Sequence, residues 1–111
     1  MDEKEYIHQL VLKVFDELKD SIEHYQLEFI AFGKPYKDVQ MYITVFFHTE
    51  EERNDAFADG VCNQIDRKFL ELAKPYDKEN ILDSNRKYIY YDSMENLNKN
   101  YQGKMPVYFA E

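Results

Sequence analysis

The stretch VQMYITVFF at residues 39–47 decides the fold that we expect for this chain. It has the two-residue period of a β-strand, in which successive side chains point to opposite faces. Residues 27–33 form another apolar run that stops at a glycine, and residues 33–38 contain turn-forming Gly, Pro and Asp. Because this connection is short, we predict that the two strands form an antiparallel hairpin. The two faces of the second strand are Val39, Met41, Ile43, Val45 and Phe47 on one side, and Gln40, Tyr42, Thr44 and Phe46 on the other.

An amphipathic helix is predicted before this hairpin, over residues 2–25. Its apolar residues recur at spacings of three and four, which places them on one face of a helix. Acidic residues are expected on the opposite face. The apolar set is Ile7, Leu10, Val11, Val14, Leu18, Ile22 and Tyr25, and the acidic set is Glu5, Asp16, Asp20 and Glu23.

A second helix is predicted directly after the hairpin. Thr49 and Glu52 have the spacing of a capping box, which marks a helix N-terminus. Gly60 interrupts this helix at a cost of about 1 kcal/mol relative to Ala, and a kink, a close contact and a tolerated defect all stay open as explanations. The predicted buried stripe, which ends near Pro75, consists of Phe57, Val61, Ile65, Phe69 and Leu72.

The remaining elements follow from shorter patterns. Residues 74–86 are predicted to be a loop that Ile81 and Leu82 attach to the core, and residues 87–92 to be a strand. Ser93 is expected to cap a short helix that continues through Asn100, and residues 106–110 to form a last edge strand. We therefore expect a single α+β domain over residues 1–111, in the order α-β-β-α-β-β. Its one mostly antiparallel sheet has about four strands, with both helices packed on one face.

The composition narrows the functional classes. The chain has 111 residues, 44% of them hydrophobic, and a single cysteine, so we expect a globular protein without an internal disulfide. No apolar run approaches the ~20 residues of a membrane span, and the N-terminus lacks a secretory signal pattern. A cytoplasmic location is therefore predicted. The formal charge of −8 disfavours binding to nucleic acid or to anionic membranes.

The negative charge lies on the two predicted helices. Residues 1–24 and residues 49–73 each carry a formal charge of −4, whereas residues 25–48 and 74–111 are neutral. In the second helix, like charges repeat every four residues, which destabilises a helix by a few tenths of a kcal/mol per pair. The helix dipole does not compensate this repulsion beyond the first turn. We therefore predict a partner-binding acidic stripe, with an ordinary solvated face as the alternative: Glu51, Asp55, Asp59 and Asp66.

The face of the sheet opposite the helices is the second predicted binding surface. Tyrosine combines a large buried area with a polar tip, which suits an interface. A homodimer through this open face is also considered, and for any single tyrosine a place in the core is the alternative. The tyrosines expected on this face or its rim are Tyr42, Tyr88, Tyr90, Tyr101 and Tyr108.

No pattern for catalysis, a metal or a cofactor emerges. His8 and His24 lie on one predicted helix but ~160° apart around its axis, so they cannot share a metal ion. Cys62 lies near the buried stripe and is expected to be a packed thiol. The three glycines are isolated, and no phosphate-binding loop or nucleophilic serine motif is present. We expect a protein that is not an enzyme.

The C-terminal part of the chain runs from Tyr90-Tyr91-Asp92-Ser93-Met94-Glu95-Asn96 through Lys99-Asn100-Tyr101 and Gly103 to Val107-Tyr108-Phe109. This stretch is similar to the C-terminal part of small bacterial toxin-immunity proteins. The resemblance contains no catalytic motif and assigns no role to an individual residue. It implies a protein that neutralises a basic partner such as a nuclease toxin. The alternatives are a DNA-mimicking inhibitor of a nucleic-acid-binding machine, and a dimeric structural or ligand-sensing module.

Overall fold

The computed structural model describes residues 1–22 and 26–110. Within these residues, α-helices and β-strands both occur, together with a 3-10 turn at Lys74–Tyr76. The helices are α1 (Glu3–Asp20), α2 (Glu50–Ala58), α3 (Val61–Ala73), α4 (Met94–Tyr101) and α5 (Met105–Ala110). The strands are β1 (Glu28–Ile30), β2 (Pro35–Tyr36), β3 (Val39–Gln40), β4 (Ile43–Phe47) and β5 (Ile89–Ser93).

The first helix has the predicted buried face. Asp2 caps α1, because its Oδ1 accepts a hydrogen bond from the N–H of Glu5 at 2.8 Å. The residues buried on α1 are Ile7, Leu10, Val11, Val14 and Leu18, while Glu5, Asp16 and Asp20 are exposed, as expected. The predicted end of this helix lies outside the described residues, since it includes Glu23, His24 and Tyr25. No helix among the described residues has the length and apolar character needed to cross a membrane.

The main sheet has three strands in the order β1-β4-β5. The predicted antiparallel pairing of β1 with β4 is confirmed, with Phe29 opposite Val45. In contrast, β5 pairs with β4 in parallel, with Val45 opposite Tyr91. The chain between them contains α2 and α3, and such a helical crossover allows a parallel pair. The prediction of one sheet of about four strands is therefore not confirmed.

The predicted strand at residues 39–47 is divided into β3 and β4. The first part pairs with β2 in a separate two-stranded sheet, and the turn between them places Lys37 and Asp38 at positive φ. Gly33 lies against the main chain of Met41, because a Cβ added there would be 2.5 Å from the carbonyl carbon of Met41. Only a residue without a side chain allows this approach. The register shifts by one residue between the two sheets, since Ile30 lies opposite Thr44 and Pro35 lies opposite Gln40, so β2 and β3 form a separate sheet toward the turn between the same two antiparallel chain segments.

The predicted second helix is also divided in two. Gly60 has a φ of +80° and separates α2 from α3, so its role is that of a junction between helices. A residue with a Cβ is strained in this left-handed conformation. Because the helical phase does not continue across the junction, Phe57 is 54% exposed and is not part of the buried stripe. Of the members of that stripe on α3, Ile65 and Phe69 are buried as expected, and Val61 and Leu72 are half-buried against the core.

Both faces of the main sheet are covered. Helices α1 and α3 pack on the face that contains Ile43, Val45 and Phe47. The opposite face carries Phe46, which packs with Leu97 of α4 and Tyr108 of α5 in a second apolar cluster. The prediction that the helices leave this second face open is wrong. A homodimer would therefore need another surface.

The second face of the sheet is covered because residues 105–110 form α5 instead of the predicted edge strand. Pro106 occupies the second position of this helix, where its missing N–H has no intrahelical partner to lose. The preceding α4 is confirmed, with Ser93 as its N-cap: its Oγ accepts a hydrogen bond from the N–H of Asn96 at 3.0 Å. In the loop before β5, Ile81 and Leu82 pack against the core, as predicted.

Candidate functional site

Helix α2 presents a row of carboxylates to solvent. Its N-terminus is fixed by Thr49, whose Oγ1 accepts a hydrogen bond from the N–H of Glu52 at 3.1 Å. The only buried residue of α2 is Ala56, so most of the surface of this helix is available. Glu51 and Asp55 are exposed, and so is Asp59, the residue that follows the last turn. We call these three residues the acidic row.

The acidic row is not compensated by basic side chains. Among the described residues, the ion pairs of this region join Arg53 to Glu50 at 2.8 Å and to the buried Asp92 at 3.9 Å. None of the ion pairs in residues 1–22 and 26–110 includes Glu51, Asp55 or Asp59. The last turn of α2 also has no basic residue. The row is therefore a local concentration of negative charge.

Asp66, the fourth residue of the predicted stripe, lies elsewhere. It belongs to α3, beyond the Gly60 junction, so the helical phase that would align it with Asp59 is lost. Its Oδ2 is 3.1 Å from the Nζ of Lys87, and its Oδ1 accepts a hydrogen bond from the hydroxyl of Tyr91 at 2.9 Å. Asp66 thus attaches α3 to β5 and does not extend the acidic row.

Most of the tyrosines expected on a binding surface are in the core. Tyr42 is 4%, Tyr88 3% and Tyr108 1% exposed. Tyr42 and Tyr88 belong to the main core, and Tyr108 belongs to the second apolar cluster, which covers the opposite face of the sheet. Tyr90 and Tyr101 are half-buried against the second apolar cluster. Tyr88 and Tyr42 also line cavities, and Tyr90 lines a third one, where its ring lies 5.0 Å from that of Tyr36.

The cavity that Tyr90 lines, which no local sequence pattern predicts, follows the outer edge of β5. It has a volume of about 270 Å³, and its floor is formed by Ile89–Tyr91. One wall contains Phe57 and Asn63 from α2 and α3, and the other contains Tyr36 and Met41. We call this feature the edge groove. Phe57 and Tyr36 are exposed aromatic residues, and the ring of Phe57 lies 5.7 Å from that of Tyr91.

Neither Cys62 nor His48 belongs to the acidic row or lines the edge groove. Burial raises the pKa of the Cys62 thiol to about 12, so at neutral pH it is protonated and a poor nucleophile. His48 is exposed, and its carbonyl accepts a hydrogen bond from the N–H of Glu95 at 3.2 Å, which joins the starts of α2 and α4. Within residues 1–22 and 26–110, no three His, Cys, Asp or Glu residues are grouped so that they could hold a metal ion.

Comparison of the chain with protein-family models, with curated proteins and with solved structures finds no match.

Proposed function

We propose that this chain is a protein-binding domain that neutralises a basic partner, such as a nuclease toxin, through the acidic row of α2. The observation that carries the proposal is the exposure of Glu51, Asp55 and Asp59 without an ion-pair partner among the described residues. The resemblance of the C-terminal stretch to toxin-immunity proteins agrees with the same role. Such a partner has a basic cleft, because a nuclease must bind phosphate.

The physical basis of the proposal is the repulsion between the carboxylates of the acidic row, which destabilises the free protein. Carboxylates four residues apart on a helix repel each other by a few tenths of a kcal/mol per pair. A basic partner removes this repulsion and gains attraction, which speeds association as well as stabilising the complex. A row of this kind is expected to act mainly on the association rate, since its members are exposed and screened by salt.

The charge density of the row favours a protein partner over the DNA-mimic alternative. Glu51 and Asp59 are eight residues apart, which corresponds to about 12 Å along a helix. Duplex DNA carries about seven phosphate charges over the same length, since it has one charge per ~1.7 Å. The acidic row supplies three. Three charges can pair with a few basic side chains of a nuclease cleft, but they do not reproduce the charge of a DNA backbone, which disfavours the DNA-mimic alternative.

Affinity capture from the cell of origin tests the proposal. The bait would be the full chain in three forms: the wild type, the row variant Glu51→Gln/Asp55→Asn/Asp59→Asn, and a control variant Asp16→Asn/Glu17→Gln/Asp20→Asn. The control removes the same formal charge from exposed positions of α1. We expect a basic protein to be retained at low salt by the wild type and the control but not by the row variant. Equal retention by all three forms would contradict the proposal.

A further inference from the structure

Strand β5 has a free edge. Only β4 pairs with it among the described strands. The carbonyl of Tyr88 accepts hydrogen bonds from the N–H groups of Tyr42 at 2.8 Å and of Ile43 at 3.2 Å, so residue 88 faces β4. In a parallel pair the backbone groups of successive residues alternate in direction. The N–H and C=O groups of Ile89 and Tyr91 therefore point away from β4, toward the edge groove.

At the end of the free edge of β5 the backbone N–H has a hydrogen-bond partner, whereas in the middle of the edge the backbone groups have none within the described part of the chain. The N–H of Ser93, which has the same direction as those of Ile89 and Tyr91, donates to Oδ1 of Asp92 at 2.8 Å. Ile89 and Tyr91 make no main-chain hydrogen bond outside the sheet within the described part of the chain. Up to four backbone groups thus lack a protein partner at the floor of the groove. Buried backbone groups are nearly always paired, so these positions favour an added strand.

The walls of the edge groove suit an extended segment. The floor is three consecutive strand residues, Ile89–Tyr91, and aromatic side chains stand on both sides, Phe57 on one and Tyr36 on the other. A second cavity, of about 290 Å³, continues the groove toward Ser84, and Asn63 and Lys87 line both cavities. The open space therefore follows the course of the chain along β5 instead of forming a compact pocket.

The surroundings of the groove are basic, although the chain as a whole has a charge of −8. The two cavities and the adjoining one beside the β2–β3 turn are lined by five basic residues and by one acidic residue, Asp66. Asp66 is already paired with Lys87. Three of the basic residues also have carboxylate partners, since Arg53, Arg86 and Lys87 form ion pairs. Lys37 and Arg67 form none among the described residues, so the excess positive charge of the lining lies on these two side chains. The basic residues are Lys37, Arg53, Arg67, Arg86 and Lys87.

We propose that the edge groove binds an extended acidic peptide segment of a partner protein, which pairs with Ile89 and Tyr91 as an added strand. Main-chain hydrogen bonds supply affinity in this mode, and pockets for alternate side chains supply specificity. An apolar side chain of the segment lies between Phe57 and Tyr36, and a carboxylate pairs with Lys37 or Arg67, the basic residues of the lining that form no ion pair among the described residues. The groove and the acidic row are formed by different residues, although both include residues of α2, so this inference does not depend on the proposed function.

Selection from a phage-displayed library of short random linear peptides, with the full chain as bait, provides the probe. The strongest selected peptide is synthesised, and its dissociation constant is measured by fluorescence anisotropy. Asn63→Trp fills the groove from an exposed position of α3, and Gln64→Trp places the same side chain at the next exposed position, outside the groove. We expect enrichment of acidic peptides, a loss of affinity of at least about tenfold in Asn63→Trp, and unchanged affinity in Gln64→Trp. Circular dichroism establishes that both variants are folded.

A backbone scan distinguishes strand addition from simple charge attraction. Methylation of single amide nitrogens of the selected peptide should abolish binding at every second residue, because alternate residues face β5. Tolerance of methylation at all positions, or equal binding to both tryptophan variants, would overturn the proposal. A third result would also overturn it: the selection enriches no acidic peptide, and the wild-type chain forms a dimer that Asn63→Trp dissociates. That result would assign the groove to a second copy of the chain.

Discussion

Replacement of Tyr108 by Phe tests how α5 is held on the sheet. The hydroxyl of Tyr108 donates to Oδ2 of Asp92 at 2.8 Å, and both residues are almost completely buried. The other donors to Asp92 are the side-chain amide of Asn96, at 3.0 Å from each carboxylate oxygen, and the N–H of Ser93. Phe keeps the ring, which packs against Phe46 at 5.2 Å, and removes only the hydrogen bond.

The expected loss of stability in Tyr108→Phe follows from the charge and burial of the hydrogen-bond acceptor, Asp92. A hydrogen bond to a charged group contributes about 1.5–3 kcal/mol, and water cannot replace it where both partners are buried. We therefore expect the free energy of unfolding to fall by about 2 kcal/mol, with roughly 4 °C lost from the Tm per kcal/mol in a domain of this size. Tyr36→Phe is the control, since its exposed hydroxyl has no such bond and its removal should change stability by less than about 0.5 kcal/mol.

Urea unfolding at neutral pH, followed by circular dichroism, measures this difference, and its pH dependence gives a second readout. Burial, reinforced by the bond to Asp92, raises the pKa of Tyr108 above its usual range. The folded state then holds a proton that the unfolded chain releases above about pH 10, so this group's stabilisation is complete below that pH and is lost as the pH rises. Tyr108→Phe should lose less stability than the wild type above that pH. A variant as stable as the wild type at neutral pH would refute the assigned role of the Tyr108–Asp92 bond.

Three further predictions concern single positions. Gly60→Ala should destabilise the fold by about 1–2 kcal/mol through the positive φ of residue 60 alone, since an added Cβ meets no atom within 4 Å. In thermal unfolding, Gly60→Asn should lower the stability less than Gly60→Ala does. Equal losses of stability in the two variants would contradict this explanation. Although burial opposes it, hydrogen bonds from the N–H groups of Leu82 and Ile81 and from the hydroxyl of Tyr6 hold the pKa of Asp77 below its usual range. Asp77→Asn should therefore be less stable than the wild type at pH 7, with a difference in unfolding free energy that narrows below about pH 4, and a constant difference would argue against it. The Cys62 thiol should react with Ellman's reagent at pH 8 only after unfolding, because burial raises its pKa to about 12, and rapid labelling of the folded chain would disprove this.

The elements predicted correctly are those with long or strongly alternating patterns. Helix α1 shows five buried residues at helical spacing, and the pairing of β1 with β4 follows from a short connection between two apolar runs. The short C-terminal run at residues 106–110 predicts a strand, but these residues belong to α5. Five apolar residues do not distinguish a strand from a buried helix, and this error also left one face of the sheet uncovered in the prediction.

The candidate site was predictable only in part, for a related reason. The spacing of Glu51, Asp55 and Asp59 is local to one helix, and the structure places all three on its exposed side. Extension of the stripe to Asp66 assumed a continuous helix across Gly60. The edge groove depends on the parallel pairing of β5 and on the exposure of Phe57, which are tertiary features with no local signature. A glycine between two helical patterns was the one signal that the helical phase could change there.

The salt dependence of the association rate is the most direct test of the central claim, that the acidic row binds a basic partner. The rate constant would be measured by stopped-flow fluorescence, with the basic protein obtained by capture, for the wild type, the row variant and the α1 control. Steering by exposed charges predicts that at low salt the row variant associates about tenfold more slowly than the other two and depends less on salt. Equal rate constants and equal salt dependence in all three forms would contradict the account.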